Sequence, residues 1–488
     1  MPPLSRPGAP RNLTLPPRIG QVAADTDVLV VGGGPAGLGA ALGAAAAGAS
    51  VVLVERYGFL GGNATVSLVL PLMSFHTQRG APQPDAGAEV SLMPTDHGPG
   101  DPVVAGVLRT LLERLIAVGG AIEPSPATGY TVPADPEIYK LVFMDLLDEA
   151  GVQFLFHAFA SGVAEDQGRR GVVFETKSGP VVVNADVVVD CTGDGDVAAA
   201  AGAPFEVGRE DDGLVQPMTL MFRMVDVERP AFAQYVRENP DQWRGVHGLW
   251  ELVRRATEDG ILQLPREDIL FFATPHPREL SVNSTRAGGL MALDVWDLTK
   301  AEWQTRHQMR QLVSFFRRYV PGFEQSYAAQ SGVNVGVRET RRILGEYQLN
   351  ADDVLSARRF PDGIARGSYP IDIHNPTGRS GTVIKNVPPG EAYDIPLRCL
   401  VPLQVEGLLV AGRCISGTHE AHSSYRVTPI AMATGQAAGV CAALAATSGT
   451  PPRAVDAGAV QRTLLDQGAN LSDLAVEHAR RGAHRADR

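Results

Sequence analysis

The segment DVLVVGGGPAGLGAALGAAAAGASVVLVE, from Asp27 to Glu55, constrains the chain more than any other. Val28 to Val31 is a continuous aliphatic run, the pattern of a parallel strand covered on both faces. Gly32, Gly34 and Gly37 follow at once in the spacing G-x-G-x-x-G. In that spacing the first glycine allows the tight turn, the second lets a phosphate approach the backbone, and the third lets a helix pack closely on the strand. The helix opens at Pro35 and Ala36, so its first N–H groups and positive dipole end face a pyrophosphate. Ala40, Gly43, Ala44 and Ala47 keep one helix face small. A second strand, 50–54, ends at Glu55, about 20 residues beyond the glycines, where a carboxylate accepts hydrogen bonds from a ribose diol. The unit predicts a bound dinucleotide and by itself leaves NAD and FAD open.

The 488 residues leave room for roughly two to four domains or one large discontinuous one. A net charge of -11 argues against a nucleic-acid partner, because phosphate binding needs clustered lysine and arginine. Of the 43 basic residues only Lys140, Lys177, Lys300 and Lys385 are lysines, a bias that fits a GC-rich bacterial genome. Cys191, Cys399, Cys414 and Cys441 form no CxxC pair, so neither a zinc site nor a redox dithiol is read, and reduced thiols point to the cytoplasm. The stretches 28–49 and 427–446 are rich in glycine and alanine rather than leucine and phenylalanine, so no membrane span is expected.

Four later pieces favour FAD. ERYGFLGGNAT places Arg56, then Gly61, Gly62 and Asn63, just after the ribose-binding acid; GVQFLFHAFASGVAED carries Ala160; ADVVVDCTGDGDVAAAAG carries Thr192, Gly193 and Asp196; and GLLVAGRCISG carries Gly412 and Arg413. With PMTLMFR, GVRETRRILGEY, IARGSYPIDIH, YDIPLRCLVP and EAHSSYRVTPIAMATGQAAG, they make the chain resemble the FAD-dependent oxidoreductases, flavoproteins related to glutathione reductase, over about residues 25 to 472. The resemblance implies an α/β fold: a Rossmann-like FAD-binding domain with a parallel sheet and a β-meander insert, plus a mixed α+β substrate domain. It implies FAD-domain pieces at 25–216 and 399–472, a substrate domain at 217–398, and loose tails at 1–24 and 473–488. The segment Gly80 to Pro102 reads as a loop or lid. Relatives commonly end the last strand in Gly-Asp. Here Arg413 follows Gly412, a cation that can neutralise the pyrophosphate, with the lost acid's role passing to Asp194 or Asp196.

The resemblance also places the helix N-terminus near Thr428 and Ile430, with Arg426 just before it, at the pyrimidine edge of the flavin, where reduction leaves negative charge. Thr428 is the expected N-cap and Pro429 the opening residue. For proton transfer the candidates are His422, His374, His419 and Tyr425, and Arg338 is a candidate for a substrate carboxylate or enolate. His419 and His422 have no third ligand beside them, so no metal is expected.

The expected activity is hydride and proton transfer between a small organic substrate and flavin N5, with oxygen, a quinone, a carrier protein or NAD(P) as acceptor. Two alternatives stay open: a monooxygenase using NAD(P)H and oxygen, and a flavoprotein subunit of an electron-transfer or RNA-modifying complex. A homodimer is compatible with the sequence, as is a single chain.

Overall fold

The computed structural model describes residues 6, 8, 12–78, 92, 100–125, 128–166, 169–376 and 382–486. Most of the expected loop at 80–102 lies outside the described residues.

Strand β1 (Gln21–Val31) pairs in parallel with β2 (Val51–Val54), and β2 with β3 (Gln153–Leu155). On its other side β1 pairs in parallel with β6 (Gly179–Asp190). Besides β1, the twelve-residue β6 serves two further partners. Its first half closes an antiparallel meander with β4 (Phe159–Asp166) and β5 (Arg169–Thr176), while Val188 to Asp190 pair in parallel with Leu408–Val410 from far along the chain. The sheet is therefore an α/β, Rossmann-like one with a meander insert, and its last parallel strand is added after about 200 intervening residues. Val28 to Val31 are buried on both faces, as a covered parallel strand requires.

Helix α1 (Pro35–Ala46) and the helix Thr428–Ser448 lie against one another along their glycine and alanine faces. The second is the one described helix long and apolar enough to cross a bilayer, but 78% of its most apolar window is buried inside the fold. It is packed as a core helix.

A second sheet of six antiparallel strands runs in the order Tyr327–Ser331, Phe222–Val225, Glu279–Val282, Ile269–Ala273, His247–Gly248, Trp243–Arg244. Helices Arg229–Glu238, Trp250–Glu258 and Val295–Tyr319 accompany it, and Phe222, Phe232, Trp243, Phe271, Phe316 and Phe323 form its separate core.

Packing divides the chain differently from the sequence reading in three places. The second core ends at Phe323, and Ile343, Val354, Phe360, Ile371 and Tyr393, read as substrate domain, share the core of the first sheet. The stretch 473–488, read as a tail, begins with the helix Asp473–Ala486, because Ala475 and Ala479 present a one-turn apolar face that becomes buried. At the other end β1 starts at Gln21, pairing with Val181, inside the segment read as a tail.

Candidate active site

At the end of β1 the chain turns through Gly32 at φ +104, where a side chain would also lie 2.5 Å from the Cys191 carbonyl oxygen. A Cβ on Gly37 would sit 1.9 Å from the Gly32 carbonyl oxygen, so the helix rests directly on the loop. Helix α1 then begins with Gly34 as N-cap and no side chain capping it, which leaves its first N–H groups to a ligand.

Around this loop runs a crevice lined by Gly32, Gly34, Pro35, Ala36, Glu55, Arg56, Gly62 and Asn63. Ala160, Thr192, Gly193, Asp196, Gly412, Arg413, Arg426 and Thr428 line it too. Three residues expected to bind cofactor stand behind this surface. Gly37 packs the helix, Gly61 donates its N–H to the Gly33 carbonyl at 2.8 Å, and Ile430 is buried in the core.

Glu55 closes the loop as well as facing the crevice. Its Oε2 accepts the Gly33 N–H at 2.6 Å and its Oε1 accepts the Tyr57 N–H at 2.9 Å. Burial outweighs these bonds and raises its pKa above the usual glutamate value. Glu55→Gln keeps one acceptor and turns an amide N–H₂ towards a backbone N–H. It is expected to weaken cofactor binding about 10- to 100-fold, read as cofactor released on dilution.

Two expectations about charge are corrected. Arg413 does not stand free for a pyrophosphate, because its Nη2 lies 2.6 Å from Asp194 Oδ1 within the fold. Asp196, offered for the lost acid's role, is likewise engaged within the fold: its carboxylate receives Arg341 Nη1 at 2.9 Å. Thr428 is not the cap of its helix. Val427 is, with Pro429 within the first turn.

The crevice adjoins a cavity of about 1130 Å³. Asn63, Val337, Arg413, Arg426 and Thr428 line both spaces. His374 and Arg338 line the cavity, as do Arg266, Arg286, Asp268 and Asp372, which the sequence reading did not single out. The His374 ring has Thr382 Oγ1 at 3.3 Å from Nδ1 and Asp372 Oδ2 at 3.5 Å from Nε2. Burial, then the Arg338, Arg426, Arg286 and Arg266 charges, push its pKa well below the ordinary histidine value, so it is neutral near pH 7. Asp372 Oδ2 also accepts the Tyr369 hydroxyl at 2.8 Å.

The other proton-transfer candidates are not brought to the cavity. His419, His422 and Tyr425 lie on the helix His419–Tyr425 and are buried. His419 Nδ1 is 2.8 Å from Glu339, which also receives Arg342 at 2.6 Å. His422 is held neutral by burial, packs edge-on against Tyr425, and the Tyr425 hydroxyl donates to the Ile415 carbonyl at 2.9 Å. Their proximity to the cofactor helix in sequence does not become proximity to the cavity, because packing buries the whole turn that carries them. The residues that follow, Arg426 to Pro429, reach the cavity.

Asp190, also missed, ends β6 fully buried. It accepts hydrogen bonds from Thr192 N–H at 3.0 Å, the Thr192 hydroxyl at 2.7 Å and Ala198 N–H at 2.8 Å, while burial pushes its carboxyl up to about 6. It fixes the turn that brings Thr192 and Gly193 to the crevice. Its signal in the sequence was an acid ending the apolar run VVVD.

A glycine cradle at a helix N-terminus, an acid at the end of the second strand and an adjoining organic-sized cavity define a dinucleotide-binding redox protein of α/β class. The profile of the FAD dependent oxidoreductase family matches residues 27–464, and the chain belongs to that family. Its cofactor is FAD, which the crevice fits by its uncapped helix end, its glycine surfaces and Glu55.

No curated protein matches the chain. Among solved structures it is similar to a geranylgeranyl bacteriochlorophyll reductase-like protein of Thermoplasma acidophilum, at 13% identity over 95% of this chain and 84% of the other, with TM-score 0.42. It is also similar to the p-nitrophenol 4-monooxygenase PnpA of Pseudomonas putida DLL-E4, at 12% identity over 67% and 70% of the two chains, TM-score 0.38. A third is the anhydrotetracycline hydroxylase OxyS of Streptomyces rimosus, at 13% identity over 91% and 66%, TM-score 0.40.

Proposed function

We propose that this FAD-dependent oxidoreductase moves a hydride between bound FAD and an organic substrate held in the large cavity. The observation that carries the reading is that Asn63, Val337, Arg413, Arg426 and Thr428 line both spaces. Bound FAD supplies a two-electron acceptor. The chain supplies the rest. Thr428 and Pro429 begin a 21-residue helix whose first N–H groups and positive end favour negative charge at the junction, and Arg426 adds a guanidinium there. Neutral His374 can take the substrate proton. With Nε2–H towards Asp372, Nδ1 is the basic atom, and Asp372 then stands beside the imidazolium that forms.

Anaerobic mixing of the FAD-loaded protein with a substrate is expected to bleach the oxidised flavin band, with re-oxidation on admitting an acceptor. Persistent yellow colour across organic acids, alcohols and amines would count against the reading. Substrate-stimulated NADPH oxidation, with an oxygen atom from O2 in the product, would replace it by monooxygenation.

A further inference from the structure

The inner end of the cavity holds more positive charge than the fold itself balances. Arg266, Arg286, Arg338 and Arg426 line it, against the two carboxylates Asp268 and Asp372. Asp268 is ionised: burial alone would raise it, but His247 and Arg266 bring it down to about 2. Arg266 is paired with it at 2.9 Å. Asp372 lies 3.8 Å from Arg426, a distance outside good hydrogen bonding. The exposed Arg244 and Glu267 add one charge of each sign to the lining, and Arg413 is matched by Asp194. Two guanidinium charges are left over, with His374 neutral.

Both residues are anchored through uncharged groups, Arg338 by its guanidinium and Arg286 by its backbone alone. Arg338 Nη1 donates to the Pro217 carbonyl at 2.6 Å and to the Thr219 hydroxyl at 2.8 Å, and among the described residues no carboxylate approaches it closely enough for an ion pair. Burial and the neighbouring arginines lower its pKa to about 9, so it keeps its charge at neutral pH in an unfavourable surrounding. Arg286 is clamped by its backbone. Its N–H donates to Gln308 Oε1 at 2.7 Å, and its carbonyl accepts from Gln308 Nε2 at 2.9 Å. Among the described residues the Arg286 side chain has no hydrogen bond or ion pair. A guanidinium partly withdrawn from water without an anion is costly, and a cavity lining that carries two of them is completed by an incoming oxyanion.

Another part of the cavity lining has the opposite character. Val69, Met221, Val246, Leu270 and Phe272 line it and belong to one apolar cluster. The cavity is far larger than a short dicarboxylate or a phosphate needs, even with a flavin ring at its junction.

We infer that the substrate is an amphiphilic organic acid, its carboxylate seated on Arg286 and Arg338 and its apolar or aromatic body against the Met221–Phe272 wall. The inference deepens the proposed redox reading and rests on it only in calling the ligand a substrate. Equilibrium binding to the FAD-loaded protein tests it without turnover. At constant ionic strength, 2-naphthoate is expected to bind at least tenfold more tightly than neutral 2-naphthamide, and at least tenfold more tightly than succinate or inorganic phosphate. Arg286→Gln, whose side chain holds no structural bond, is expected to weaken 2-naphthoate about 10- to 100-fold and leave 2-naphthamide unchanged, with the flavin spectrum confirming the fold. Equal binding of acid and amide, unchanged affinity in Arg286→Gln, no saturable binding of 2-naphthoate, or parity with succinate or phosphate would each overturn the inference. Failure of flavin bleaching alongside tight acid binding would instead remove only the redox reading.

Discussion

Gly439→Val is expected to lower the stability of the protein by about 4 kcal/mol or more, and to release FAD along with it. A Cβ on Gly439 would lie 2.0 Å from the Ala40 carbonyl oxygen, 2.7 Å from its carbon and 2.8 Å from its Cα, all backbone atoms that cannot rotate away. The contact is reciprocal along the seam. A Cβ on Gly435 would meet the Ala36 oxygen at 2.0 Å, on Gly39 the Met432 oxygen at 2.2 Å, and on Gly43 the Gln436 oxygen at 2.6 Å. Two helices thus touch backbone to backbone, and a valine must force the whole seam open. Ordinary overpacking costs about 1–3 kcal/mol where side chains can give way, and here they cannot. Against a total stability of about 5–15 kcal/mol this is a large share.

Opening the seam also displaces the two helix N-termini, at Pro35 and Thr428, that line the cofactor crevice. FAD retention and the denaturant midpoint should therefore fall together. Thr447→Val, exposed at the end of the same helix, should change the unfolding free energy by no more than about 0.5 kcal/mol. A Gly439→Val protein with an unchanged midpoint would show that the helices are not in this contact.

His374→Asn is expected to lower kcat about 10²- to 10⁴-fold while FAD binding and the denaturant midpoint stay close to the parent values. The ring lines the cavity rather than the FAD crevice, and its two polar neighbours, at 3.3 and 3.5 Å, are too distant to contribute much to stability.

The pH dependence follows from the sign of its shift. Burial and the four arginines depress the His374 pKa in the free enzyme, so the basic form persists well below pH 6.5, and the acid limb of kcat/KM should lie below that value. A substrate carboxylate on Arg286 and Arg338 would cancel part of that positive field and raise the pKa in the complex. The acid limb of kcat should therefore lie at higher pH than that of kcat/KM. Coincident limbs would separate His374 from the anion seat, and a His374→Asn enzyme of near-parental kcat would remove its proposed role.

The first βαβ unit was legible residue by residue because its signals are local. Covered strand, glycine turn, helix start and terminal acid each depend on neighbours within a few residues, and the expected lining from Gly32 to Asn63 was placed largely where those rules put it. The small residues of the first helix were legible too, as a face able to pack closely, though not its partner on the helix Thr428–Ser448. The proton-transfer candidates show the reverse. His419, His422 and Tyr425 were singled out for closeness along the chain to the cofactor helix, whereas His374 reaches the cavity from a hairpin that the sequence does not tie to it.

The sequence by itself determined that a dinucleotide is bound and which short segments hold it, since backbone conformation, helix dipole and strand burial are written in contiguous residues. Only the tertiary structure decided which charges are spent within the fold and which remain for a ligand. Arg413 and Arg286 read alike as arginines. Asp194, adjacent to Arg413 only after folding, neutralises the first, while among the described residues no carboxylate pairs with the second. Ion pairing is set by distances across the fold, and spacing along the chain does not encode them.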